Sequence, residues 1–123
     1  MEKLASLFFH SRTQAHVFHL RVKGTGSYAA HKALNEYYDG IVDLIDGLVE
    51  SYQGKYGLIK FQPVNTIDNN CDIKNIISYF EKLCVALEKL RQDKKLQDSW
   101  IQNEIDNVAN LLYSTKYKLV NLG

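Results

Sequence analysis

The sequence predicts an all-α protein, a four-helix bundle with a long crossover connection between its second and third helices. Three observations carry this prediction. The 123 residues contain a single proline, Pro63, so no other position blocks a helix outright. Apolar residues recur at i, i+3, i+4 and i+7 in four separate stretches. The Gly24-Thr-Gly26 and Gly54-Lys-Tyr-Gly57 clusters, the run around Pro63 and a polar segment near residue 95 fall between those stretches.

The first helix is expected from about Lys3 to Arg21, with Leu4, Leu7, Phe8, Ala15 and Phe18 near helical spacing. Arg21 and Lys23 suit the negative end of its dipole. The second is expected from Ser27, a suitable N-cap, to about Tyr52, stopping at Gly54. Residues 55–71 read as a connector long enough to span a bundle. The third helix begins near Asp72 and carries the cleanest amphipathic repeat, Ile73, Ile76, Ile77, Phe80, Leu83, Cys84, Leu87 and Leu90. After a polar turn from Arg91 to Asp98, the fourth carries Ile101, Ile105, Val108, Leu111, Leu112 and Leu119, with Asp98 or Ser99 as its cap. Two antiparallel helix pairs joined by one long connector form the ferritin-like arrangement, and residues 1–123 are expected to fill it as a single ferritin-like domain.

A formal net charge of +1, with no basic run longer than Lys94-Lys95, argues against a strongly basic nucleic-acid binder. Cys71 and Cys84 lie outside any CxxC pattern and read as reduced thiols, which suits a cytoplasmic setting. No apolar run has the length of a signal segment or a membrane span, so no membrane partner is expected.

The second helix carries the feature that points to function. Glu36, Asp39, Asp43, Asp46 and Glu50 are spaced 3, 4, 3, 4 with no Lys or Arg among them. At 100° per residue they form one anionic stripe roughly 80° wide, opposite an apolar face of Leu34, Tyr38, Ile41, Val42, Ile45, Leu48, Val49 and Tyr52. Four like-charge neighbour pairs cost the helix about 1–2 kcal/mol in all. A cationic counterpart is the natural expectation.

The four histidines, His10, His16, His19 and His31, all lie in the first third of the chain. Imidazole with carboxylate is a ligand set for iron, zinc or manganese. The Glu-x-x-His pair on which di-iron bundles build a core site does not occur here. His31 and Asp46 stand 15 residues apart on what should be one helix, about 22 Å of rise, whereas metal bonds to such ligands are only about 2.0–2.2 Å long. If they cooperate, they do so between two chains. Two copies of the second helix, antiparallel across a two-fold axis, bring His31 of one beside Asp46 and Glu50 of the other and create two identical sites.

The run His19-Leu-Arg-Val-Lys-Gly-Thr-Gly-Ser-Tyr-Ala-Ala-His31, followed by Asn35, Asp46 and Glu50, resembles the signature of the Dps-type miniferritins, the DNA-protecting proteins of starved cells. In that pattern a second His follows the first after twelve residues, with Asp four, Asp fifteen and Glu nineteen residues further on. His19, His31, Asp46 and Glu50 match it, whereas Asn35 stands where the family has Asp and Leu20 where it has Trp. The resemblance covers about Thr13 to Gly57. It implies a ferroxidase that holds iron on His19, His31, Asn35, Asp46 and Glu50, with zinc or manganese as substitutes. Ferrous iron would be oxidised by hydrogen peroxide or oxygen at intersubunit sites. The ferric mineral would be seeded on Glu36, Asp39 and Asp43 and stored inside a homo-oligomeric shell, in many members of twelve subunits. No Lys/Arg-rich tail is present, so DNA binding is not carried over. The neutral Asn35, the missing Trp and the short chain support an alternative, a ferritin-like structural or packaging protein with a weakened or absent ferroxidase site.

Overall fold

In the computed structural model, which describes residues 1–122, the four apolar repeats become helices α1 (Glu2–Arg21), α2 (Ser27–Tyr56), α3 (Ile73–Leu90) and α4 (Ser99–Asn121). A single 3₁₀ turn, Lys94–Leu96, precedes α4, and no strand occurs among the described residues. α2 packs on both α1 and α4, and α3 closes the bundle against α4 and α1. The buried side chains are those the apolar spacing selects, among them Leu4, Phe8 and Phe18 of α1, Leu34, Ile41, Ile45 and Leu48 of α2, Ile76, Phe80 and Leu87 of α3, and Ile101, Ile105 and Leu112 of α4. No described helix is long and apolar enough to cross a membrane.

One polar chain crosses this core. The Tyr37 hydroxyl lies 2.6 Å from Ser11 Oγ, and Ser11 in turn donates to the Phe8 carbonyl at 2.7 Å. Since that donation uses the serine proton, Tyr37 is the donor of the pair. Burial of the phenol pushes its pKa well above the ordinary tyrosine value, so it stays a neutral donor.

Two helix boundaries differ from the sequence expectation. Gly26, in the left-handed region at φ 80°, is the N-cap of α2, and Ser27 is the first helical residue rather than the cap. α2 also runs through Gly54 and ends only at Gly57, whose φ is 90°. A glycine inside a helix costs only about 1 kcal/mol, and the extra turn has tertiary support. Tyr52 and Tyr56 pack ring to ring at 4.8 Å, while Asp98 accepts from Lys55 at 3.1 Å and from the Tyr56 hydroxyl at 2.5 Å. Asp98 precedes α4 as expected, but its side chain makes no capping bond because those partners hold it. They also draw its pKa down, the Tyr56 hydroxyl most strongly. Asp72 does cap α3, accepting from the Lys74 amide.

The connector is therefore residues 57–72, and its path follows from its backbone. Extended chain outside a helix must pair its N–H and C=O groups with something. Here a stripe on α1 supplies many of the partners. Lys60 N–H donates to Glu2 Oε1 at 3.4 Å, Gln62 N–H to Ser6 Oγ at 3.1 Å, and His10 Nε2 donates to the Thr66 carbonyl at 2.5 Å. Gln14, buried, closes a two-way clasp on Asp68: its Oε1 accepts from the Asp68 N–H and its Nε2 donates to the Asp68 carbonyl, both at 2.8 Å. Arg21 Nε reaches the Asn69 carbonyl at 3.1 Å. The α1 residues and their connector partners ascend together, so the connector runs alongside α1 in the same direction and delivers α3 at the end where α1 stops.

Gln14→Ala should expose this dependence. It removes both partners of the Asp68 backbone and is expected to cost about 1–3 kcal/mol in urea unfolding, with hydrogen exchange at the Asp68 amide accelerated more than at amides in the helix interiors. Unchanged exchange at Asp68 would contradict the clasp.

Candidate functional site

The turn 22–26 is short enough to place His19, in the last turn of α1, directly opposite His31, near the start of α2. Their rings stack with centroids 3.6 Å apart and planes 20° off parallel. Each ring bonds the other residue's backbone: His19 Nδ1 donates to the His31 carbonyl at 2.7 Å and His31 Nδ1 to the His19 carbonyl at 2.8 Å. A carbonyl oxygen only accepts, so both Nδ1 atoms carry hydrogen and each neutral ring holds its lone pair on Nε2. The His19 carbonyl lies among the last of α1, which lack helical partners, so the His31 ring also caps that helix. No described protein group hydrogen-bonds either Nε2.

Tyr38 organises the surroundings. Its ring stacks on His16 at 4.4 Å and 21° and meets His19 edge-on at 5.3 Å. Its hydroxyl donates to Asn35 Oδ1 at 2.5 Å, and Asn35 Nδ2 donates to Asp39 Oδ2 at 3.1 Å. Both ends of the Asn35 amide are engaged, with one lone pair left on Oδ1. Tyr38 escaped the sequence reading as anything but apolar packing. Its signal was positional, since residues three and seven apart on a helix share a face and Tyr38 stands three after Asn35 and seven after His31.

All five carboxylates of the stripe are exposed, but the stripe is not wholly bare. Lys118, in the last turn of α4, reaches Glu36 at 2.7 Å. The hydrogen bond from that ammonium and its charge hold the Glu36 carboxyl below the usual glutamate range. A window along α2 alone cannot find a cation that arrives from another helix. Among the described residues, Asp43, Asp46 and Glu50 have no ion pair. α2 is continuous from Ser27 to Tyr56, so Asp46 stands about 22 Å of helical rise from His31 and one chain does not bring the two together. Among the described residues, no three or more His, Cys, Asp or Glu side chains converge on a metal position.

Other features of the chain are structural. His10 is held by the connector carbonyl of Thr66 and the Tyr79 ring. Gly40 lies inside the chain's own bundle, where an added Cβ would come within 3.3 Å of Leu111 Cδ2, so it permits close approach of α2 and α4. Cys71 and Cys84 are free thiols. A cleft of about 510 Å³ lies between α1 and the connector, lined by Phe9, His10, Phe61, Val64 and Ile67 among others, and does not include the histidine pair.

A profile described as Family of unknown function (DUF5856) matches residues 19–119. The matched span opens on His19 and takes in His31, Asn35, Tyr38 and the whole acidic stripe. No curated protein and no solved structure matches the chain.

The Glu36–Lys118 pair gives a pH signature. A depressed carboxylate contributes stability that is present above its unfolded pKa and lost as the pH falls through its folded value; on an exposed pair that contribution is small. In an NMR titration Glu36 should therefore ionise below an ordinary glutamate, and Lys118→Ala should return it to the ordinary range. A midpoint indifferent to Lys118→Ala would show that the pair does not persist in solution.

Proposed function

We propose that this chain, which belongs to the family of unknown function DUF5856, takes up ferrous iron at sites shared between two copies, oxidises it and stores the ferric product, as the resemblance to Dps-type miniferritins implies. The observation that carries the reading is the reciprocal clasp of His19 and His31. A ligating histidine almost always donates its other ring N–H to a carbonyl, carboxylate or water, which fixes the tautomer and aims the lone pair. Here two adjacent rings are held that way, with both Nε2 atoms left without a protein hydrogen bond. The run of the connector along α1 supports a ferritin-like bundle with its crossover.

The missing negative ligands are supplied by a second copy. Asp46 and Glu50 are exposed and unpaired in their own chain, and an antiparallel partner α2 sets them against His19 and His31, twice per two-fold dimer. Two imidazoles and two carboxylates suit ferrous iron as substrate. The two carboxylates offset its charge and favour the ferric product still more, so the same pair drives the loss of an electron. Asn35 contributes a neutral oxygen. Asp39 and Asp43 extend the anionic surface towards mineral deposition, with Glu36 partly neutralised by Lys118. Such dimers are units of a larger shell, and DNA is not among the proposed partners.

A second reading, a packaging bundle without iron chemistry, is favoured by the engagement of Asn35 with both Tyr38 and Asp39. Ferrous iron and peroxide separate the two. The proposed function predicts a ferric absorbance that forms faster than in the same iron and peroxide without protein, an excess that is lost in His31→Ala and in Asp46→Ala, each remaining folded. Mixing the two variants as co-folded chains should restore part of it, because each heterodimer carries one site with His31 and Asp46 both intact. Inert wild-type protein purified without stoichiometric metal would favour the packaging reading. Two active single variants would remove the site.

A further inference from the structure

We infer that the solvent face of α4 is an interface at which two copies of this chain pair antiparallel across a two-fold axis, a contact that does not depend on the iron-oxidising reading. Asn103, Asn107, Asn110, Ser114, Tyr117 and Asn121 are spaced 4, 3, 4, 3, 4 along that helix. At 100° per residue they share a stripe roughly 80° wide, opposite the buried Ile101, Ile105, Val108, Leu112 and Leu119. All are exposed except Ser114, which is half-buried.

The stripe holds no charge along its whole length, in a chain that is 24% charged. By contrast, the exposed side of α2 carries five carboxylates and that of α3 carries Lys74, Glu81, Lys82, Glu88 and Lys89. The ionised groups that flank the α4 stripe, Asp106 and Lys118, are matched within their own chain by Arg91 and Glu36. Solvated helix faces favour Lys, Glu and Arg, which are better helix formers than Asn. Asparagine at four of the six positions is a poor choice for a face that meets only water. Loss of charge with tyrosine kept at the surface is instead the composition of a protein interface, and Tyr113 and Tyr117, 45% and 59% exposed, stand beside and on the stripe.

The pattern fits a second copy of itself. A spacing of 4, 3, 4, 3, 4 reads the same in both directions, so an antiparallel α4 sets Asn103 against Asn121, Asn107 against Tyr117 and Asn110 against Ser114, each pair twice. Every pair joins a donor to an acceptor. Ser114 donates its proton to the Leu111 carbonyl at 3.1 Å, and Asn121 gives an amide hydrogen to the Tyr117 carbonyl at 3.0 Å. Their oxygens then accept from Asn110 and Asn103 of the other copy, and the Tyr117 hydroxyl donates to Asn107. Charge selects the direction. Antiparallel pairing brings Asp106 level with Lys116 and Lys118 of the other copy and keeps the two Asp106 side chains about 18 Å apart along the seam, whereas parallel pairing stacks each charge on its twin. A face about 27 Å long buries on the order of 1,000 Å² in all, the small end of specific interfaces, so the contact forms at high protein concentration and dissociates on dilution. Where the α2 pairing also forms, this second two-fold joins those dimers to one another.

Sedimentation equilibrium of the full-length protein over a wide concentration range should show reversible self-association. Asn110→Arg sets two like charges near the axis and should weaken that association about tenfold or more, with a thermal midpoint no lower than wild type at low concentration, because Arg is the better helix former. In a Cys71→Ser background, gentle oxidation of Asn103→Cys mixed with Asn121→Cys should give disulfide-linked dimers, and either variant alone should give none. Wild-type protein that stays monomeric at every concentration, or association indifferent to Asn110→Arg, overturns the inference and returns the α4 face to solvent. Asn103→Cys linking to itself as readily as to Asn121→Cys overturns the antiparallel pairing.

Discussion

The backbone of the connector imposes the constraint on which the rest of the bundle depends. Sixteen residues between α2 and α3 have no helix or sheet of their own, and several of their N–H and C=O groups are met by side chains from outside the segment. α1 meets them with Glu2, Ser6, His10 and Gln14, one residue every fourth position on a single face. The same helix packs Leu4, Phe8, Ala15 and Phe18 into the core. α1 is thus two-sided, with a packing face and a hydrogen-bonding face. That second face guides the chain back to where α3 can pack beside α1 and α4.

Much of this was legible in the sequence, for reasons that are local. Apolar spacing found all four helices because a helix buries one face, whatever its neighbours are. The boundaries that moved did so where a tertiary partner intervened. Tyr56 and Lys55 carry α2 past Gly54 by holding Asp98, and that hold keeps Asp98 from capping α4. The stripe that carries the connector was also present in the sequence as a polar residue at every fourth place. Nothing local says what will lie against it.

The candidate site divides in the same way. Residue types and spacing singled out His19, His31 and the carboxylates of α2. The tautomer of the two rings was hidden, since it follows from a turn just long enough to let each imidazole reach the other's backbone. Also hidden were Lys118, which comes from the far end of the chain to Glu36, and the hydroxyl of Tyr38, a residue assigned to packing that in fact joins His16, His19 and Asn35. Each involves a direction in space rather than an order along the chain.

The unbroken course of α2 from Ser27 to Tyr56 makes the segment between His31 and Asp46 intolerant of changes in length. One inserted residue turns everything after it by about 100°, which would carry Asp46 and Glu50 off the face they share with Asp39 and Asp43 and push apolar side chains out of the core. Seven inserted residues would return the face to within about 20° but lengthen the helix by roughly 10 Å. Substitutions along this helix are graded in their effect, whereas insertions and deletions are all or none. The connector, with its partners set at intervals, can take up a loop between one anchor and the next. Among chains that share this fold, variation in length should therefore collect between residues 57 and 72 and be excluded between residues 31 and 50.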